Sequence, residues 1–256
     1  MIAQSVPLVA LNWVPCHRLI ASRYPTAGLY DDIARPADLE VVVAIEALTN
    51  PRIRQELGAL SLVPSDDRLT GPGATLVMAA FTHLNPEGSR FSDGSYGVYY
   101  AADALVAAIA EVGYHRGRFL ARTAEPEIDI DLRWIQADLA QQVHDIRGRQ
   151  HELGDVYQPE QYHAGQALGR ALRERGSHAV VYDSVRRAGA QCVAVFRPRA
   201  LSNARTAGHL GLHWDGSRIT HWFEKGEPHA LAFGGKQATT IPPTDPVQIS
   251  AINSTT

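Results

Sequence analysis

Apolar and polar positions alternate with two different periods along this chain. From Ser89 to Tyr100 the sequence SRFSDGSYGVYY strings Ser, Gly and Asp between an arginine and two tyrosines, which predicts a turn feeding a short strand. The period then changes. Leu105, Ile109 and Val112 fall at i, i+4 and i+7, which predicts a helix over ADALVAAIAEVGYH with Asp103 as its N-terminal residue. Glu111 lies beside that stripe, on the side of Ala104, Ala108 and His115, where small neighbours leave space around a carboxylate.

Elsewhere the pattern predicts a first strand at Cys16–Ile20, a helix from Asp38 through DLEVVVAIEALTN, and a second from Pro51 through PRIRQELGAL. The run TLVMAAFT is too short for periodicity to choose helix or strand. After the central stretch, HRGRFLART reads as a strand and Glu127–Leu132 alternates as a half-buried strand would. Helical patterns follow at Leu132–Arg147 and at Pro159–Arg175, the second stopped by Gly176. His178–Tyr182 and Gln191–Phe196 are strand signals joined by DSVRRAGA. His209–Trp214 and Arg218–Phe223 flank Asp215-Gly216-Ser217, a hairpin signal. Beyond Glu227 the chain is rich in Thr, Pro, Ser and Gly, and a loosely ordered end is expected.

Composition adds limits. The chain has 256 residues, 45% apolar and 20% charged, enough to bury a sizeable core. A net charge of −3 gives no footprint for direct nucleic-acid binding. Cys16 and Cys192 form no framework of the secreted kind, no run approaches a membrane span, and the first residues lack a positive region. A cytoplasmic protein with no membrane contact is the expectation. No H-E-x-x-H occurs, and Gly71–Gly73 lacks the Lys-Ser/Thr of a phosphate loop. His209, His213 and His221 are too thin a set for a zinc site, so no metal is expected.

Taken singly, the chemistry-bearing residues are unremarkable: Arg90 fits a solvated loop, Glu111 a helix surface, Ser184 a turn. Their order and spacing say more. Ten residues separate Arg90 from Tyr100, eleven separate Tyr100 from Glu111, and Ser184 follows after a long gap in VVYDSVRRAGAQCVAVF. In this the chain resembles the RES family, named for an Arg, a Glu and a Ser, over roughly Arg18 to Pro198.

The resemblance implies an α+β fold of the ADP-ribosyltransferase-like kind, a split β-core flanked by helices. It implies a toxin that cleaves the nicotinamide–ribose bond of NAD+, as a glycohydrolase or phosphorylase, with NAD+ as substrate and no separate cofactor. Arg90, Tyr100, Glu111 and Ser184 would be catalytic; Arg18, Tyr99, His115 and Arg187 would contact substrate. The implied partner is an antitoxin with a DNA-binding helix-turn-helix region. Two other readings stay open: transfer of ADP-ribose to a protein or nucleic acid, and a non-catalytic NAD- or partner-binding module. Transferases often carry an acidic or Gln side chain just upstream of the catalytic Glu; Ile109 and Ala110 stand here, which favours a small acceptor.

The expected organisation is an N-terminal extension at 1–16, a RES domain at 17–200, and a C-terminal hairpin and tail at 201–256. The extra segments would cover the cleft, replace an antitoxin contact or form a homodimer surface, and length alone does not choose.

Overall fold

The structure is a computed structural model that describes residues 2–22, 30–31 and 59–226. By contacts the chain divides into Met1–Lys225 and Gly226–Thr256, and every element below belongs to the first unit. The helices expected from Asp38 and Pro51 lie outside the described residues almost entirely, as does the tail from 227 onward.

Seven strands are described: β1 (Leu8–Ala21), β2 (Tyr99–Ala102), β3 (Ile128–Asp145), β4 (Ala179–Asp183), β5 (Gln191–Val195), β6 (Ser202–Trp214) and β7 (Ile219–Glu224). Three α-helices accompany them: α1 (Ala74–Thr82), α2 (Leu105–Thr123) and α3 (His163–Glu174). The sheet order is β1-β2-β5-β4-β3-β6-β7, with β1 also paired to β3. The short strands β2, β5 and β4 thus form one leaf, and the long strands β1, β3, β6 and β7 form the other. The leaves meet thinly: β1 touches β2 at His17↔Ala102, and β3 runs parallel to β4 only at His144↔Val180 and Asp145↔Val181. This is the expected α+β architecture, a split β-core flanked by helices.

Strand alternation gives the short leaf two faces. Val180 and Tyr182 of β4, Cys192 and Ala194 of β5, and Ala102 of β2 join one buried cluster with α2 and α3. Ala179 and Val181, Val193 and Val195, and Tyr99 and Ala101 join another with α1. The first is called here the α2 face and the second the α1 face.

Several elements differ from expectation. TLVMAAFT resolves as helix α1. The segment HRGRFLART is helix, not strand, because α2 continues to Thr123 and closes on Ala124 in the left-handed region at φ 51°. Arg, Leu and Ala favour that continuation, and it brings Leu120 into the core. Asp103 does not cap α2; Ala104 is its N-cap, and Asp103 instead accepts the Gln191 N–H, which ties β2 to β5. The segment expected as a helix over Leu132–Arg147 is strand as far as Asp145, where β3 ends. Ile135, Leu139 and Val143 recur every fourth residue, a spacing that fits a helix face and a strand face equally. Pairing decides: β1 lies along β3 from Leu132 to His144 and β6 along it from Ile128 to Asp138. β1 begins at Leu8 rather than Cys16, and β6 at Ser202 rather than His209. The hairpin turn is as expected, with Asp215 Oδ1 accepting the N–H groups of Ser217 and Arg218.

Candidate active site

Glu111 stands midway along α2, on the side turned toward the end of β4. Ser184 follows that strand at the start of the loop to β5, where its N–H bonds the Ala190 carbonyl. Ser184 Oγ donates to Glu111 Oε1 at 2.6 Å. Ser184 Oγ itself accepts the backbone N–H groups of Arg186 and Arg187, each at 3.1 Å. These two donors leave the hydroxyl proton one productive direction, toward the carboxylate. A hydrogen bond to an ionised partner of this kind is worth about 1.5–3 kcal/mol.

Arg90 reaches the site's flank from the loop before β2. It is 8% exposed, and its Nη1 donates to the carbonyls of Val156 at 2.8 Å and Gln158 at 2.9 Å. Its guanidinium lies 5.0 Å from the Tyr162 ring centroid. Among the described residues no carboxylate pairs with it. A buried guanidinium met only by neutral acceptors is suited to an anion brought by a ligand.

Tyr100 sets the arginine's position. Its hydroxyl meets Ser89 Oγ at 2.8 Å and accepts the Phe91 N–H at 2.9 Å, so one side chain holds the residues on both sides of Arg90. Burial pushes the Tyr100 hydroxyl's pKa up, which keeps it a neutral partner in this network. Helix α3 supports the same loop from behind. A Cβ at Gly165 would stand 2.4 Å from the Arg90 carbonyl oxygen, and one at Gly169 would stand 2.2 Å from that of Phe91. Only glycine permits that approach.

The Ser184 loop is clamped at its far side. Arg186 donates to the Pro159 carbonyl and its guanidinium lies 3.4 Å from the Tyr114 ring centroid, while the Tyr114 hydroxyl donates to Glu160 Oε1 at 2.9 Å. Cys192 enters from β5: its Sγ lies 3.6 Å from Glu111 Oε1.

The structure therefore brings together Glu111 and Ser184, with Arg90 and Tyr100 linked to each other on the same side of the sheet. It separates others. Tyr99 is fully buried on the α1 face, and the Arg18 guanidinium stacks over its ring at 4.6 Å while donating to the Tyr100 carbonyl at 2.9 Å. Both are turned from the Glu111 carboxylate by strand alternation. Arg187 offers Ser184 a backbone N–H, and the residue itself is exposed. His115, one turn after Glu111, lies at the site's outer edge: it packs against the Tyr114 ring, burial lowers its pKa, and the nearby Glu111 carboxylate opposes that shift. On the hairpin His213 stacks on His221 at 4.6 Å and bonds Asp129 at 2.8 Å. Among the described residues no group of three or more His, Cys, Asp or Glu is arranged to hold a metal ion.

Sequence reasoning passed over Cys192, Gly165, Gly169 and Tyr114. The two glycines carried a signal, four residues apart inside an otherwise strong helix pattern. Cys192 and Tyr114 carried none, since their roles depend on strand register and on a loop distant in sequence.

With the geometry described, the comparisons place the protein in a class. The RES domain profile matches residues 67–215, more than half of the chain. The chain belongs to the RES domain family. A relative from Sinorhizobium fredii, the uncharacterized protein y4oC, is 33% identical over 204 residues, covering 80% of this chain and 84% of its own. Among solved structures, a chain of the M. tuberculosis MbcT–MbcA toxin–antitoxin complex aligns over 87% of this chain and 89% of its own, with a TM-score of 0.46 and 12% identity.

Among the described residues no helix is long and apolar enough to cross a membrane.

Proposed function

We propose that the protein cleaves the nicotinamide–ribose bond of NAD+, with water or phosphate as acceptor. The observation that carries this reading is the Glu111 carboxylate, fixed by the Ser184 hydroxyl at 2.6 Å on the α2 face that also carries Arg90 and Tyr100. As nicotinamide leaves, positive charge develops on the ribose, as in glycoside hydrolysis. A fixed carboxylate opposes that charge and binds ribose hydroxyls, so most of the catalysis is electrostatics and positioning. Arg90 supplies the counter-charge for a phosphate of the dinucleotide. The Tyr100 hydroxyl is committed to the Arg90 loop, and its ring is the aromatic surface offered to nicotinamide.

In the cell such an activity is that of a toxin. Membership of the RES family supports this role, and a cytoplasmic site of action with it. Neutralisation would come from a partner antitoxin with a DNA-binding helix-turn-helix region.

The test is to incubate the purified protein with NAD+, with and without inorganic phosphate, and to follow nicotinamide and the ADP-ribose product. Nicotinamide release that Glu111→Ala abolishes is expected. ADP-ribose names water as acceptor and its 1″-phosphate names phosphate. Undiminished release by folded Glu111→Ala overturns the assignment. Release only in the presence of a protein or nucleic acid, with label transferred to it, makes the protein an ADP-ribosyltransferase instead.

A further inference from the structure

Glu111 Oε1 has two donors, and the second is a thiol. Cys192 lies on β5 directly across from Tyr182 of β4, with its side chain on the α2 face and 2% of its surface exposed. Its Sγ is 3.6 Å from the oxygen that Ser184 also bonds. Both donors described for the carboxylate thus fall on Oε1, one from the loop and one from the strand. Such a pair fixes the carboxylate's rotation about its last bond, and it leaves Oε2 as the oxygen available to a ribose hydroxyl.

We propose that Cys192 is a positioning residue for Glu111, its thiol acting with Ser184 to fix the carboxylate and aim Oε2 at the ribose. The inference rests on the NAD+ reading above for its consequence in catalysis, but not for the bond itself. The thiol is suited to the role because it stays protonated: burial pushes its pKa up, and the neighbouring charge of Glu111 adds to that. A thiol is a weak donor, so its effect is directional and moderate. Ser184 is its neighbour as well, and the thiol brings no second charge into the site.

Other titratable and charged groups surround the Glu111 carboxylate. Tyr182 faces it from β4 and stays a neutral phenol because of burial. His115 lies on its own helix, Arg186 on the Ser184 loop, Arg90 on the loop before β2, and Asp103 beside Cys192. Cys192→Ala and Cys192→Ser leave all of these residues in place in the sequence, so a shift that alanine produces and serine reverses belongs to the donor at position 192.

The experiment compares Cys192→Ala, which removes the donor, with Cys192→Ser, which restores one. Two readouts are taken: the Glu111 carboxyl pKa by 13C NMR, assigned by its loss in Glu111→Gln, and the pH profile of kcat/KM for nicotinamide release. Cys192→Ala is expected to raise the carboxyl pKa by about half a unit, as loss of a donor to the charged form should. The acidic limb of the profile should move with it, and kcat should fall about threefold to tenfold with KM little changed. Cys192→Ser should return both readouts toward wild type. Should Cys192→Ala melt too low to titrate, Cys192→Val fills the space without a donor and takes its place.

An unmoved carboxyl pKa and acidic limb in the donor-less variant, or a serine variant no better than alanine, overturns the proposal. Absence of NAD+ turnover by the wild type would instead remove the catalytic reading, and the NMR titration would still decide whether the thiol holds the carboxylate.

Discussion

Tyr99 and Tyr100 are neighbours on β2, and they point to opposite faces of the short leaf. On the α1 face Tyr99 shares a cluster with Cys16, Val181 and Val193, and its hydroxyl is buried with no hydrogen-bond partner among the described residues. On the α2 face the Tyr100 hydroxyl has two partners, and Cys192 and Ser184 both reach the Glu111 carboxylate. Both cysteines are buried, and burial pushes both thiols up, Cys16 to about 12. Yet only Cys192 touches an acidic side chain at the site. The same three strands therefore build an apolar backing and a polar site by period-2 alternation alone. The backing keeps strand position rigid, which is what a positioned carboxylate requires.

The comparison can be broken in several ways. The largest effect expected is on Glu111. Glu111→Gln keeps the shape of the side chain and removes its charge, and nicotinamide release should fall about 10²–10³-fold with an unchanged melting temperature. A smaller effect should separate the tyrosines. Tyr100→Phe releases both ends of the Arg90 loop and should lower kcat/KM about tenfold, mainly through KM, as seen in steady-state kinetics. Tyr99→Phe deletes a buried hydroxyl that has no partner among the described residues, so turnover should hold and stability should stay level or rise by up to ~1 kcal/mol in urea melts.

The helical glycines sharpen the contrast further. Gly169→Ala drives a methyl into the Phe91 backbone and should cost ~1–3 kcal/mol while raising KM through the displaced Arg90. Gly113→Ala meets open space and should gain ~0.5–1 kcal/mol, as a helix interior gains when Gly becomes Ala. Chemical denaturation of the pair reads both signs.

The smallest effect is on pH dependence. His144 is buried and bonded to Ser177 Oγ at 2.8 Å, and burial, with Arg175 adding to it, holds its pKa below the ordinary 6.5. The unfolded chain then binds a proton that the fold resists, so stability is full above 6.5 and falls as pH drops from there toward the lower folded value. Melting temperatures at about pH 7.5 and about pH 5.5 should show this fall, and His144→Gln should flatten it.

The site was more legible in the sequence than the sheet was. Arg90, Tyr100, Glu111 and Ser184 are unremarkable singly, and only their order and spacing, read through the family resemblance, single them out; the structure adds the Ser184–Glu111 bond and the Tyr100 link to the Arg90 loop. The long strands were less visible. β3 reads as helix over half its length because apolar residues four apart fit both periods, and only pairing with β1 and β6 removes the ambiguity. The family resemblance groups Arg18 and Tyr99 with the site, whereas strand alternation puts both on the α1 face, with Arg18 over the Tyr99 ring. Cys192 could not be read at all, since its contact with Glu111 spans 81 residues and depends on the β4–β5 register.

The most direct test of the division between faces is a crystal structure of Glu111→Gln with NAD+ bound. The account predicts the nicotinamide ribose within hydrogen-bond distance of residue 111, beside Ser184, with a phosphate oxygen on Arg90. NAD+ found instead against Tyr99 and Arg18 on the α1 face, or in the cavity of about 260 Å3 between α2 and Ile219 and Trp222 of β7, would contradict it.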